Sequence, residues 1–284
     1  MKEVKSFYED TPFNFSEDID FFTKNIKDIN QILEYKDLHK LLLKRVGLRR
    51  KPLINNVIEF GCGTGWLTNS IAHHYNKKIT SIDFTKKAVE TAKKVSKQLN
   101  LNNKFINTDI FDYQDDQTYD LVISLGVLHH TYDCKKALKK ISKFVKNGGF
   151  LYVGLYHSYG RLPMLRMLRS YARWYSEKSA FKLYKAMNKD NEDNEDNTHS
   201  YSWFRDQILH PHETQHSLEE VNHWLEEVSL KLVSTSINNY KKFEKENMQK
   251  LYLIEKNLEN LSYKNYVENL TFSPGYFTIC ASKT

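Results

Sequence analysis

The stretch that decides the fold is Val57-Ile58-Glu59-Phe60-Gly61-Cys62-Gly63-Thr64-Gly65-Trp66. It begins with a short apolar run, Val57–Phe60, which predicts a buried strand that enters a glycine turn. A helical pattern follows from Trp66 to about His74. Glycines let the backbone pass close to a ligand, and the N-terminus of a helix offers free N–H groups. A strand, this turn and a helix, in that order, are therefore typical of a nucleotide-binding site.

Strand and helix signals alternate along most of the chain. The predicted strands are Val57–Phe60, Ile79–Ile82, Lys104–Ile106, Leu121–Leu125, Phe150–Leu155, Leu230–Ile237 and Tyr276–Ala281. Further helices are predicted at Lys86–Leu99, at Lys135–Val145 before Asn147-Gly148-Gly149, and after the capping box Ser217-Leu218-Glu219-Glu220. Strands that alternate with helices at this spacing indicate an α/β protein with a doubly wound, parallel sheet.

The composition of the 284 residues fits one α/β domain with additions. The three cysteines, Cys62, Cys134 and Cys280, form no Cys-x-x-Cys pair, which argues against a zinc module or a disulfide framework. Met1–Lys5 lacks the apolar core of a secretory signal, and no apolar run approaches the ~18 residues of a membrane span. A reducing, cytoplasmic location is therefore expected.

A second signal follows the next predicted strand. Asp83 ends that strand, where a carboxylate can accept hydrogen bonds from both hydroxyls of a ribose. NAD-binding folds share this pair of features, but their fingerprint needs a glycine at the position of Trp66, which would crowd a pyrophosphate. Glu59 also disfavours a phosphate and suits an ammonium group. S-adenosylmethionine, which carries an ammonium group and no phosphate, meets these conditions.

These motifs, in register over roughly Asn56–Leu155, resemble those of the class I S-adenosylmethionine-dependent methyltransferases. The resemblance implies a Rossmann-like, seven-stranded sheet that is mostly parallel with an antiparallel last strand, plus a helical cap insertion. It implies that Asp83 holds the ribose, that Phe84 flanks the adenine, and that Asp109 meets the adenine amino group beside Ile110. The other residues expected at the cofactor, around its methionine part, are Glu59, Gly61, Cys62, Gly63, Gly65 and Leu125. Cys62 has no partner base in the sequence, so a packing role is expected for its thiol.

Four regions are expected. Residues 1–50 form a helical N-terminal lid, in which Phe7–Phe13 is predicted to be an ordered loop. Residues 51–155 form the cofactor-binding core, and residues 156–216 form a helical cap on the acceptor side. Residues 217–284 complete the core around a helical insertion at about 241–270. The acidic run at 188–197 is predicted to be a solvated loop.

The loop after the fourth predicted strand faces the methyl acceptor by the same resemblance. It reads Ser124-Leu125-Gly126-Val127, which lacks the Asn/Asp-Pro-Pro-Tyr/Phe of enzymes that methylate nucleic-acid amino groups. O-, C- and other N-methylation stay open. His129 and His130 follow, and both are candidate catalytic residues. The alternative is that one ring caps the Thr131-Tyr132-Asp133 turn.

Three further segments are similar to a bacterial subgroup of small-molecule methyltransferases (type 11/12-like): the region of Tyr8, Gly154–Leu162 and Trp203–His216. From them come two more catalytic candidates, Tyr8 and His157. The candidate acceptor-binding residues are Tyr156, Arg161, His210, His212 and Glu213. His210, His212 and His216 with Glu213 could ligate a metal, but three histidines around a proline are more typical of a loop, and no metal is predicted.

The main hypothesis is methyl transfer to a small molecule, with S-adenosylhomocysteine as the product. The net charge of +7 and a basic stripe of Arg166, Arg169 and Arg173 motivate a second hypothesis, an RNA-modifying enzyme. The lysines are spread along the chain rather than clustered, so a nucleic-acid partner is not expected. A third hypothesis is a non-catalytic, S-adenosylmethionine-binding regulatory subunit.

Overall fold

The computed structural model describes residues 2–10, 16, 18–43, 54–187, 197–241 and 248–283. Its centre is a seven-stranded sheet in the order β3-β2-β1-β4-β5-β7-β6. The strands are β1 Val57–Phe60, β2 Ile79–Asp83, β3 Lys104–Asn107, β4 Tyr119–Leu125, β5 Val145–Tyr156, β6 Leu230–Thr235 and β7 Tyr276–Lys283. The first five strands pair in parallel, and β7 runs antiparallel to both β5 and β6. The predicted Rossmann-like sheet with an antiparallel last strand is confirmed.

Helices cover both faces of this sheet. The helices are α1 Lys2–Asp10, α2 Ile19–Lys27, α3 Asn30–Leu33, α4 Lys36–Leu42, α5 Trp66–Tyr75, α6 Lys86–Gln98, α7 Cys134–Ser142, α8 Ser158–Trp174, α9 Glu177–Met187, α10 Asn197–Phe204, α11 Leu218–Glu227, α12 Met248–Lys256 and α13 Leu258–Asn269. One core cluster joins α7 and α11 to the sheet, through Ile141 and Leu225 against Val122 and Val153. The other joins α3, α4 and α5 to the opposite face. The sheet is therefore doubly wound.

The cap has a small apolar core of its own. Leu165 and Leu168 of α8 pack with Tyr184 of α9 and Phe204 of α10. Phe272, which follows α13, packs against the same cluster. The stretch expected as a helical insertion at about 241–270 contains α12 and α13, and α13 lies against α8. The insertion at about 241–270 thus packs against the cap through α13. In the described part of the chain, no helix is long and apolar enough to cross a membrane.

Several predicted boundaries are wrong, and three of them illustrate why. Helix α7 ends at Ser142 instead of Val145, because Val145 pairs with Tyr119 and already belongs to β5. Strand β6 ends at Thr235, where a short 3-10 turn over Ser236–Asn238 begins. The segment Phe7–Asp10, predicted as a loop, is the last part of α1. Residues 11–13 of that predicted loop, and 188–196 of the predicted acidic loop, lie outside the described residues.

Candidate functional site

The glycine turn after β1 has a backbone that suits only glycine at three positions. Gly61, Gly63 and Gly65 have φ of +77°, +51° and +83°. A Cβ on Gly61 would lie 2.4 Å from Val127, and one on Gly65 would lie 2.6 Å from Ala92. A Cβ on Gly63 would meet no heavy atom within 4 Å. Two of these glycines therefore serve packing, and Gly63 leaves open space.

That space belongs to a cavity of about 1160 Å³ at the carboxyl ends of β1, β2, β4 and β5. Nine of the ten predicted cofactor residues line it: Glu59, Gly61, Cys62, Gly63, Asp83, Phe84, Asp109, Ile110 and Leu125. Gly65 does not line the cavity. It is the N-cap residue of α5 and packs against Ala92 of α6. The sheet thus brings these predicted residues together at the edge where ligands bind in α/β folds.

Two of the carboxylates on this wall, those of Asp83 and Glu59, are buried. Asp83 Oδ2 accepts a hydrogen bond from the Gly63 amide at 2.8 Å, and Oδ1 accepts one from Thr85 at 2.8 Å. These bonds tie the end of β2 to the glycine turn, and burial raises the pKa of Asp83 despite them. Glu59 is 4% exposed, and the Thr68 hydroxyl donates to it. Burial raises the pKa of Glu59 to about 7, so a nearby cation would favour its ionised form.

The opposite half of the cavity has a hydrogen-bonded group of four side chains. The Tyr8 hydroxyl donates to Asp206 Oδ1 at 2.6 Å, and the Tyr156 hydroxyl donates to Asp206 Oδ2 at 3.2 Å. Gln207 Nε2 donates to the Tyr156 oxygen at 2.6 Å. All four residues line the cavity. Burial, followed by the charge of Asp206, raises the pKa of both tyrosines well above the ordinary value.

Asp206 and Gln207 are absent from the predicted site, although they lie within the quoted Trp203–His216 segment. Asp206 is 4% exposed, and burial raises its pKa. The only sequence signal for it is a carboxylate two residues after an aromatic pair, which is weak. Its partner Tyr8 lies 198 positions away in the sequence. The contact therefore depends on how the fold places α1 beside the segment after α10.

Arg161 is buried, and its guanidinium group donates four hydrogen bonds. It donates to both Glu213 oxygens, at 2.8 and 2.9 Å, and to the side chain and main chain of Gln207. It also lies over the Tyr156 ring, 3.4 Å from the centroid. Burial alone would raise the pKa of Glu213, but the bonds from Arg161 outweigh it and lower that pKa. Arg161 lines the cavity while Glu213 does not, so the charge that Arg161 presents there is already paired with a carboxylate.

The adjacent histidines face different surroundings. His129 does not line the cavity: its ring lies 3.9 Å from that of Tyr156, and Nδ1 accepts from the Tyr156 amide at 3.3 Å. His130 does line the cavity. Burial lowers the pKa of His130 to about 4, so its imidazole is neutral at neutral pH. The structure therefore favours His130 over His129 as the residue that faces a ligand.

The other predicted acceptor residues lie behind the wall. His210 packs with its ring centroid 3.8 Å from that of His130, and the main-chain oxygen of His212 contacts His130 Nδ1 at 3.1 Å. Neither His210 nor His212 lines the cavity. His157 is also away from it, because its Nδ1 caps α8 and its Nε2 contacts Glu255 at 3.1 Å. A contact with the acceptor is thus not supported for His157, and its buried partners explain it as a structural residue.

Residues 55–227 match a family model described as a methyltransferase domain. A malonyl-[acyl-carrier protein] O-methyltransferase of Bacillus anthracis is 29% identical over 124 residues, which are 43% of this chain and 44% of that protein. A mitochondrial ubiquinone biosynthesis O-methyltransferase of Dictyostelium discoideum is 32% identical over 109 residues, 34% of each chain. A probable (S)-tetrahydroprotoberberine N-methyltransferase of Papaver bracteatum is 29% identical over 117 residues, 40% of this chain and 32% of that one. The alignments thus span less than half the length of these relatives.

Solved structures show the same fold. PKMT2 from Rickettsia typhi aligns with a TM-score of 0.60 at 16% identity, over 83% of this chain and 50% of that chain. Its complex with AdoHcy aligns with a TM-score of 0.53 at 13% identity, over 81% and 49%. The family model covers more than half of the chain, and the sheet order and glycine turn agree with it. The chain therefore belongs to the class I S-adenosylmethionine-dependent methyltransferases.

Proposed function

We propose that the protein transfers the methyl group of S-adenosylmethionine to a small-molecule acceptor and releases S-adenosylhomocysteine. The observation that carries this proposal is one cavity that runs from the glycine turn to the Tyr8–Asp206–Tyr156 group. Its volume, about 1160 Å³, exceeds that of an ordinary single-ligand pocket, which reaches roughly 1,000 Å³. A cofactor and a small acceptor can therefore lie in it side by side.

The cofactor half fits S-adenosylmethionine in shape and charge. Cβ atoms on Gly63 and Gly126 would meet nothing within 4 Å, so the backbone leaves a cradle for a ligand. Glu59 would meet the ammonium group, Asp83 the ribose hydroxyls, and Asp109 the adenine amino group. The raised pKa of Glu59 marks a buried carboxylate that lacks a cationic partner among the described residues. When bound, the cofactor supplies an activated methyl group on its sulfonium.

A cover over the cavity favours a small acceptor. Val4 and Tyr8 of α1, Phe22 of α2 and Trp203 of α10 all line the cavity from outside the core. We propose that the N-terminal segment and the cap form a lid over the reacting atoms. Such a lid excludes water from the transfer and leaves little room for a folded macromolecule.

The chain's own part in the reaction is to align the acceptor, because the methyl group is already activated. We propose that His130 and Asp206 hold the reacting group of the acceptor. Tyr8 and Tyr156 orient Asp206 through their hydroxyl groups, and Arg161 fixes the Tyr156 ring from behind. The relatives include both O- and N-methyltransferases, so an acceptor oxygen or nitrogen is proposed.

The basic stripe does not favour the RNA hypothesis. Arg166 pairs with Glu259 at 2.8 Å, and Arg169 donates to the Ile208 main-chain oxygen and lies 3.6 Å from Glu213. Two of the three arginines are thus engaged within the protein. Nuclease-treated protein should elute free of RNA and retain none at low salt, whereas RNA retention that falls steeply with salt would support the alternative.

Cofactor binding tests the proposal through a matched pair of variants. Asp83→Ala should abolish calorimetric binding of S-adenosylmethionine, whereas Asp116→Ala, at an exposed position, should bind as the wild type does. Both variants should keep the far-ultraviolet circular dichroism of the wild type. Unchanged affinity in folded Asp83→Ala would contradict the site. A thermal shift with cofactor but no turnover on any metabolite pool would favour the regulatory-subunit hypothesis.

A further inference from the structure

Three buried side chains, two on the cavity wall in the acceptor half (the half with Tyr8, Tyr156 and Asp206) and one directly behind it, form a group suited to a metal ion. His130, Asp206 and His210 each offer one ligand atom, and these atoms lie within 4.8 Å of one another. Their exposures are 4%, 4% and 5%. His130 ends the turn after β4, while the other two come from the segment after α10. The fold therefore brings two imidazoles and a carboxylate together from distant parts of the chain.

The hydrogen bonding of His130 leaves one nitrogen free. Its Nδ1 lies 3.1 Å from the main-chain oxygen of His212. Because a carbonyl oxygen only accepts, Nδ1 donates, and the neutral ring keeps a lone pair on Nε2. That Nε2 atom is buried, has no hydrogen-bond partner in the part of the chain that the structure describes, and lies 3.8 Å from Asp206 Oδ1. Metal-binding histidines commonly donate their other ring N–H to a main-chain carbonyl in this way.

Asp206 is oriented in a similar manner. The hydroxyls of Tyr8 and Tyr156 donate to its two oxygens at 2.6 and 3.2 Å. Each carboxylate oxygen keeps a further lone pair after accepting one hydrogen bond. Hydrogen bonds of this kind also hold the carboxylates that ligate metals. The carboxylate thus has both a fixed orientation and the capacity for one more partner.

His210 is the weakest of the three ligands. Its Nε2 is buried and has no hydrogen-bond partner among the residues that the structure describes. Its Nδ1 accepts the His212 amide at 3.1 Å, so the ring proton is on Nε2. Coordination through Nε2 moves that proton to Nδ1 and gives up one hydrogen bond. We therefore expect His210 to contribute less to metal affinity than His130 and Asp206.

We propose that His130, Asp206 and His210 bind one divalent transition-metal ion of the Zn²⁺ class, with an open position toward the cavity. Two imidazoles and a carboxylate suit zinc and iron(II), and three protein ligands with one open position are typical of catalytic sites. His130 and Asp206 line the cavity. The role of this ion rests on the proposed function: an acceptor oxygen, from a hydroxyl or a carboxylate, takes the open position.

This group differs from the one that the sequence suggested and rejected. Glu213 is committed to Arg161, and His216 contacts Thr214 and Glu220. Only His210 is common to both groups. The prediction of no metal concerned only His210, His212, His216 and Glu213, because three histidines around a proline are typical of a loop.

Metal titration of tag-free, chelator-treated and cofactor-free protein tests the site. One equivalent of Co²⁺ should give visible d–d absorption, and Zn²⁺ should displace it. Asp206→Asn and His130→Gln should weaken Zn²⁺ binding by about 100-fold or more, since loss of even an outer hydrogen-bond partner costs about 10–100-fold. The control is His212→Ala, which keeps the main-chain atoms that contact His130 and His210 and should bind Zn²⁺ as the wild type does.

Urea midpoints establish whether each variant is folded. If Asp206→Asn or His130→Gln does not fold, His210→Gln replaces it, with a smaller expected loss of Zn²⁺ affinity. No saturable Co²⁺ spectrum, or equal Zn²⁺ affinity in wild type and the folded ligand variants, overturns the site. Affinity for S-adenosylmethionine is measured in the same metal-free preparations. Absence of cofactor binding contradicts the proposed function alone, while absent metal binding with intact cofactor binding contradicts this inference alone.

Discussion

Two glycines allow cofactor binding to be separated from folding. Gly63 and Gly148 have φ of +51° and +77°, and a Cβ on either meets no heavy atom within 4 Å. Gly63 lines the cavity, whereas Gly148 is an exposed residue of β5 outside it. Gly63→Ala and Gly148→Ala therefore impose the same backbone change in two different places.

The expected magnitudes follow from that geometry. An L-residue in the left-handed region costs roughly 1–2 kcal/mol, and the stiffer unfolded chain returns about 0.4–1 kcal/mol. Each variant should thus lose about 1 kcal/mol of unfolding free energy. Only Gly63→Ala places a methyl group in the proposed cofactor cradle. We expect its dissociation constant for S-adenosylmethionine to rise at least about tenfold, or about 1.4 kcal/mol.

Urea denaturation gives the stability of both variants, and calorimetric titration with S-adenosylmethionine gives their affinity. Gly148→Ala should bind the cofactor as the wild type does. If the two folded variants bind equally well, the cofactor does not approach the backbone at Gly63, and the reasoning from the open cradle is refuted.

Three further outcomes are expected. His130→Ala should lower kcat far more than cofactor affinity, because His130 lines the cavity. His129→Ala should mainly lower Tm, and equal losses of kcat in both variants at unchanged Tm would contradict this assignment. Because burial raises the pKa of Glu59 to about 7, the free protein takes up a proton below that pH, which a bound ammonium group must displace. Calorimetric affinity should fall by up to about tenfold for each pH unit below 7, and Glu59→Gln should remove this slope; a flat wild-type profile would count against the contact. Glu213→Gln leaves the buried Arg161 without its carboxylate and should lower the free energy of unfolding, measured by urea denaturation, by about 3 kcal/mol. A loss under about 1 kcal/mol, which is typical of exposed pairs, would contradict this prediction.

The cofactor half was predictable because its residues lie close to their motifs in sequence. A parallel sheet brings the carboxyl ends of its strands to one edge, so Glu59, Asp83 and Asp109 follow from strand positions alone. Gly65 is the exception. It has a positive φ like Gly61 and Gly63, but it packs against Ala92 and does not line the cavity. Local pattern was therefore sufficient for the fold and for most of the residues that line the proposed cofactor half of the cavity.

The acceptor half depends on contacts between distant segments, and local pattern does not contain them. The Tyr8–Asp206 bond spans 198 positions, and the Arg161–Glu213 pair spans 52. His129 and His130 are neighbours in sequence, yet the 3-10 turn that holds them turns only His130 to the cavity. Residue type identified segments that contribute to the cavity wall, but only the path of the chain decides which of their side chains face the cavity.

The most direct test of the central claim is transfer of a labelled methyl group. The protein is incubated with methyl-labelled S-adenosylmethionine and a cell extract separated into small-molecule, protein and nucleic-acid fractions, with Asp83→Ala as the inactive control. We predict label in one small-molecule product, with an equal amount of S-adenosylhomocysteine. Label confined to the RNA or protein fraction, or no enzyme-dependent label despite proven cofactor binding, would contradict the proposed function.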